Sequence, residues 1–186
     1  MTTLINDEYK KQLQEMHQKP KMFYRGTKVA SKLEDFLKTY NPSSLLDFGC
    51  GKGDLHKLLG ETIPKVAGYD PGMPEFENLP NDTYEVLVST DVLEHIEPEM
   101  IDETLKAINN LFTKSCYLLI ASYPAKKHLP DGRNAHLIIE SFDWWKNKLE
   151  TFVNGKIVYT VNTPVVKTPK RGPSLEGHEF IFIIEK

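Results

Sequence analysis

Cysteine is scarce in this chain: Cys50 and Cys116 are the only two in 186 residues. That scarcity excludes a disulfide framework and a zinc site built from thiolates. Each cysteine lies in or beside an apolar stretch, so packing is the expected role, and Cys50 as a nucleophile has no partner in its neighbourhood. Long apolar runs are also missing, since none approaches the roughly 20 residues that a helix needs to cross a bilayer. Asp7 and Glu8 precede any apolar stretch. Neither a secretory signal nor an Arg-rich transit peptide is therefore legible, and a cytoplasmic location is the expectation. Positive charge is not in excess, with 23 Lys and Arg against 26 Asp and Glu and a net charge of -3. That balance argues against a nucleic-acid partner, which needs clustered Lys and Arg. Lysine-rich groups at 10–11, 19–28, 126–127 and 167–171 read as solvated surface. Repeats and low-complexity tracts are absent, and the length suits one domain with a sizeable core.

What is present is a glycine turn. Leu45-Leu46-Asp47-Phe48-Gly49-Cys50-Gly51-Lys52-Gly53-Asp54-Leu55 reads as a buried strand, a tight turn and a helix start. Gly49, Gly51 and Gly53 alternate, where side chains would keep a ligand off the backbone. About twenty residues on, Val66-Ala67-Gly68-Tyr69-Asp70 is a second apolar run ending in a carboxylate, the placement of a ribose-hydroxyl acceptor. An adenosine-type ligand is implied. The spacing is G-x-G-x-G rather than the dinucleotide G-x-G-x-x-G, and Asp47 and Asp54 flank it, which disfavours a pyrophosphate and suits a ligand with an ammonium or sulfonium. A Walker loop is excluded because no Ser or Thr follows Lys52.

These residues resemble the class I S-adenosylmethionine-dependent methyltransferases. Residues 45–55 look like that family's first motif, Asp70 like its acidic residue after the second strand, and Asp91-Val92-Leu93-Glu94-His95-Ile96 like the turn after its fourth strand. The resemblance covers most of the chain. It implies an α/β fold, a Rossmann-like doubly wound and mostly parallel sheet with a C-terminal antiparallel hairpin. It implies S-adenosyl-L-methionine as cofactor, held by Asp47, Gly49, Cys50, Gly51, Gly53, Asp70, Pro71, Asp91 and Val92. It further implies one domain over 1–186, with N-terminal helices over 1–40 covering the cofactor site and the core over 41–186. The sequence departs from the family at 71–83, where thirteen residues rich in Pro and Gly cannot hold both a helix and a third strand. That strand is reduced or missing, with 76–79 as its only remnant. Asn78 and Asp82 are then the available readers of the adenine.

Elsewhere the chain alternates. Residues 6–18 form a polar helix capped by Asn6 or Asp7, a candidate lid. Val29, Leu33, Phe36, Leu37 and Tyr40 mark a second helix that stops at Asn41-Pro42. Ile101, Leu105, Ile108 and Phe112 mark a crossover helix, 116–121 a fifth strand, and 141–152 a helix capped by Ser141. Strands at 156–161 and 179–185 close the fold, joined by a long loop over 163–177.

Ligands of such sheets bind beyond the carboxyl ends of the strands. The glycine turn, residues 91–95 and the loop 123–136 are therefore expected to meet. His95, His136 and His128 are the candidate general bases for a hydroxyl or amine acceptor. Glu94, Tyr123, Arg133 and Asn134 are the candidate acceptor contacts, with Arg133 able to clamp a carboxylate or phosphate. Arg133 paired to Asp131 at a surface turn is the equal alternative. No metal is expected, because Asp91, Glu94, His95, His128 and His136 show no recognised ligand spacing. Phe23, Tyr24, Trp144 and Trp145 could frame a planar substrate, with core packing the stronger role for the tryptophans. The expected reaction is methyl transfer to a small polar metabolite or a sugar-like or nucleotide-like group. Alternatives are a non-catalytic binder of the same cofactor and an RNA methyltransferase, although the fourth strand lacks the N/D-P-P-Y/F motif of nucleic-acid enzymes.

Overall fold

The computed structural model describes residues 4–18, 26–168 and 174–186. Phe23 and Tyr24, two of the aromatics that could frame a planar substrate, lie outside the described residues. The elements are α1 (Asp7–Gln18), α2 (Gly26–Tyr40), β1 (Ser44–Phe48), α3 (Asp54–Leu59), β2 (Lys65–Tyr69), β3 (Tyr84–Thr90), α4 (Ile101–Leu111), β4 (Phe112–Ser122), α5 (Phe142–Phe152), β5 (Lys156–Lys167) and β6 (Leu175–Glu185). They build one six-stranded sheet in the order β2-β1-β3-β4-β6-β5. The first four strands in that order run parallel, and β6 pairs antiparallel with both β4 and β5.

Both faces of the sheet are covered, which the period-2 pattern of the strands dictates. Leu45, Val86, Val88, Tyr117 and Leu119 face one way and pack with Leu33 and Phe36 of α2 and Leu55 and Leu59 of α3. Leu46, Phe48, Leu87, Leu118 and Ile120 face the other way and pack with Leu105 and Ile108 of α4 and Trp145 and Leu149 of α5. Trp145 is fully buried there. Ser141 caps α5, its hydroxyl accepting from the Trp144 N–H at 3.1 Å. Asn6 caps α1 by accepting from the Tyr9 N–H at 2.8 Å.

Three boundaries differ from the sequence reading. Phe112 belongs to β4 rather than to the crossover helix, because α4 ends at Leu111 and the backbone turns extended there. The closing strands run to Lys167 and from Leu175, so the expected loop over 163–177 is mostly hairpin. Pro164 concealed this, and it is tolerated because β5 is an edge strand whose outer N–H groups need no partner. No strand forms at 76–79, and the described chain between β2 and β3 is irregular, as its thirteen residues required.

Candidate active site

A cavity of about 410 Å³ opens at the carboxyl ends of β1, β2, β3 and β4, a size typical of small-molecule sites. It sits where the strand order reverses, between β1 and β3. Asp47, Gly49, Cys50, Gly51, Asp70, Pro71, Asp91, Val92, His95, Tyr123 and His136 all line it. Segments distant in sequence thus converge as the topology demands.

The glycine turn has a backbone reason for its composition. Gly49 and Gly51 hold φ of +81° and +53°, a region that side chains disfavour. A Cβ on Gly49 would also lie 2.3 Å from a methyl of Val92. Gly53 is not on the cavity wall; a Cβ there would strike the His56 ring and Phe76. Its φ of +76° and protein packing, not ligand access, therefore account for the third glycine.

Asp70 ties this turn to the next loop. Its Oδ2 accepts from Gly51 N–H and its Oδ1 from Gly72 N–H, each at 2.9 Å. Burial pushes its carboxyl up, against the pull of those amides and of His17. His17 Nε2 lies 3.8 Å from Asp70 Oδ1, and burial holds the imidazole below its ordinary range. Asp47, 3% exposed, is pushed up to about 7 by burial and then by the charge of Asp70. Two buried carboxylates with raised values make this end of the cavity receptive to a cation. Burial drives the Cys50 thiol up, away from a nucleophilic thiolate. Asp91 takes φ +55°, uncommon for a residue with a side chain, at the turn leaving β3.

Helix α1 forms a wall that the sequence reading understated. Tyr9, Leu13 and His17 of α1 line the cavity, together with Leu4 and Ile5 just before it. Tyr9 donates its hydroxyl to the His95 carbonyl at 2.7 Å, Gln12 donates to Asp131 at 3.0 Å, and Lys10 pairs with Glu77 at 2.7 Å. The Asn6 backbone N–H and side-chain amide both donate to Glu97. The buried side of α1 also includes Met16, fully enclosed against Leu129 and Ala135. The signal was present in Tyr9, Leu13 and Met16 at helical spacing.

On the opposite wall, His95 Nδ1 meets the Ala135 carbonyl at 2.6 Å and His136 Nδ1 meets the Tyr123 carbonyl at 2.5 Å. A carbonyl only accepts, so each Nδ1 carries a proton. The two rings meet edge to face, 4.7 Å between centroids. Tyr123 also contacts the Lys167 ammonium, which lies 4.2 Å from its ring centroid. Lys126, Lys127 and Lys167 all reach the cavity wall.

The structure does not bring His128, Arg133, Asn134 or Glu94 to that wall. Arg133 pairs with Asp131 at 2.7 Å and holds its carboxyl down near 2, the surface-turn alternative. Asn134 spends its amide on both backbone groups of Ala125, at 2.9 Å each, and so pins the loop. His128 is exposed and bridges Asn134 through the backbone. Glu94 is buried behind the wall, accepting from the Ala121 N–H at 3.2 Å. Asn78 is exposed, and Asp82 pairs with Lys65 at 2.8 Å, so neither reaches an adenine in the cavity.

Among curated proteins, none matches this sequence. The fold is shared with TehB from Haemophilus influenzae (TM-score 0.64, 18% identity, 88% of this chain), although the chain spans only 64% of TehB. It is shared too with Burkholderia thailandensis 1,6-didemethyltoxoflavin-N1-methyltransferase, solved with bound 1,6-didemethyltoxoflavin and S-adenosylhomocysteine (TM-score 0.68, 14% identity, 100% of this chain and 92% of that one). A third similar structure is the N-methyltransferase NodS from Bradyrhizobium japonicum WM9, bound to S-adenosylhomocysteine (TM-score 0.63, 11% identity, 96% and 98%). The family model described as a methyltransferase domain matches residues 21–155. With that match over most of its length, and with this sheet order, the chain belongs to the methyltransferase-domain family and has the class I fold.

Proposed function

We propose that this protein is an S-adenosylmethionine-dependent methyltransferase acting on a small polar metabolite or a sugar-like or nucleotide-like acceptor, with its 186 residues working as one unit. One observation carries the reading. A single cavity is walled by the glycine turn, Asp70, the Asp91-Val92 turn and the His95 and His136 rings. The first three suit an adenosyl amino acid, and the rings suit the acceptor beside it.

When bound, the cofactor supplies a methyl group on a positively charged sulfur, and the protein's task is alignment and exclusion of water. Asp70, anchored by two backbone amides, faces the cavity as acceptor for the ribose diol. Asp47 and Asp70 offset a cationic amino-acid end, since both gain from a nearby positive charge. Gly49, Cys50, Gly51, Pro71, Asp91 and Val92 shape the remaining wall. Helix α1 excludes water from above. His95 and His136, each with Nδ1 held by a backbone carbonyl, are the candidate bases for a hydroxyl or amine proton. Tyr123 and the three lysines favour a polar acceptor with negative charge.

Calorimetric titration tests the cofactor: S-adenosylhomocysteine should bind with one site per chain, and NADH should not. Binding of NADH alone would remove the proposal. Transfer of labelled methyl from S-adenosylmethionine into fractionated metabolites, including phosphorylated sugars and nucleotides, then reads the acceptor class. A label found only in RNA would overturn the small-molecule half.

A further inference from the structure

Glu94, His95 and His136 each offer a ligand atom, and these atoms lie within 4.8 Å of one another. We propose that these three side chains form a binding site for a divalent transition-metal ion of the Zn²⁺, Co²⁺ or Mn²⁺ type at the cavity floor. The site itself stands on this geometry. Only its placement beside an acceptor rests on the methyltransferase reading.

Two imidazoles and one carboxylate are a donor set for borderline ions, with oxygen-loving Mg²⁺ and Ca²⁺ poorly served. Three protein ligands leave a fourth position open, the arrangement of reactive rather than purely structural zinc. Here the open side is the cavity, because both rings line it while Glu94 lies fully buried behind them.

The surroundings are those a ligand set requires. A metal-ligating imidazole normally donates its other N–H to a carbonyl or carboxylate, which fixes ring and tautomer. Both rings do so through Nδ1, to Ala135 and Tyr123. Nε2 would be the ligating atom on each, and a ring that holds the ion does not also take the acceptor's proton. Glu94 is steadied at Oε1 by the Ala121 N–H. The two segments that supply the donors are fastened directly, as Leu137 and Ile138 donate N–H groups at 2.7 and 3.0 Å to the Glu94 carbonyl.

Ligands at about 2.1 Å from an ion span no more than about 4.2 Å. The donors lie within 4.8 Å of one another, so any pair wider than the span an ion allows draws in slightly on loading, a change that side-chain torsions provide. No spacing rule reveals such a site, because its third donor, His136, lies far along the chain from Glu94 and His95 on another loop.

Untagged, chelator-treated protein is titrated with Zn²⁺ and, in parallel, with Co²⁺, whose visible absorption reports nitrogen and oxygen ligation. Wild type should take up about one ion per chain, with a higher melting temperature in its presence. His136→Ala and Glu94→Gln should each weaken uptake by more than about 10-fold and abolish the Co²⁺ spectrum. Lys148→Ala, remote from the cavity, should change neither. S-adenosylhomocysteine binding is measured on the same samples as a gauge of folding and of the methyltransferase reading. No uptake by wild type, or uptake unchanged in a His136→Ala protein that still binds S-adenosylhomocysteine, overturns the metal site alone. Should Glu94→Gln fail to fold, His136→Ala and His95→Ala carry the same comparison.

Discussion

Asp70→Asn separates a ribose grip from a mere loop tie. The carboxylate accepts two backbone amides at 2.9 Å, one per oxygen, and each oxygen has a second lone pair available to a ligand hydroxyl. Asparagine keeps one oxygen but turns an NH₂ group toward one of those amides, so a donor faces a donor. The stability cost is about 1–3 kcal/mol for the buried amide left without an acceptor. Loss of the repulsion between Asp70 and Asp47 offsets part of this. The protein stays folded with a lower melting temperature. For the ligand, hydrogen bonds to a charged acceptor contribute roughly 1.5–3 kcal/mol, so the dissociation constant for S-adenosylhomocysteine should rise about 10- to 150-fold. The decisive assay is a cycle, in which calorimetry compares S-adenosylhomocysteine with its 2′-deoxy analogue on both proteins. If Asp70 holds the diol, the deoxy analogue is penalised on wild type and by less than about 3-fold on Asp70→Asn, a coupling well above the usual error of additivity. Additive losses would refute the reasoning, since they would mean that the substitution acts only by loosening the turn.

Asp47 makes stability depend on pH. Its carboxyl is pushed up to about 7 from an unfolded value of 3.8, so the folded state binds the extra proton. The stabilising contribution is present below pH 4 and is lost as pH rises through 7. Asp47→Asn should therefore raise stability at pH 8 by on the order of 2–4 kcal/mol relative to wild type, and little at pH 4, as read from urea melts. Gly49→Ala places a methyl against Val92 at positive φ and should cost more than about 2 kcal/mol, with Val92→Ala restoring only the steric part, as read from melting temperatures. Arg133→Ala, off the cavity wall and paired with Asp131, should change S-adenosylhomocysteine affinity and KM for the acceptor by less than about 3-fold, as read by calorimetry and steady-state kinetics.

The parts of the fold legible in the sequence were those governed by local chemistry. Gly49, Gly51 and Asp70 announced the turn and its carboxylate, Ser141 announced a helix start, and the crowded stretch 71–83 announced a lost strand. What was not legible depended on partners. Arg133 read equally as a clamp or a surface pair until Asp131 was seen to take both its backbone and its guanidinium. Asn134 gave no sign that Ala125 would absorb its amide. Glu94 and His95 are adjacent in the chain, yet one is buried behind the wall while the other lines the cavity. Pro164 concealed the length of the last hairpin because an edge position cannot be read from one strand.

The absence of a strand beyond β2 leaves a gap that the first helix repairs. Leu13 and His17 press so closely on Gly72 that even a methyl there would collide with them. The roof over the Asp70 end of the cavity is thus borrowed from the first helix. A version shortened to begin at the second helix would keep α2 packed on its face of the sheet and still unroof the cavity, so the amputated protein would fold yet bind poorly.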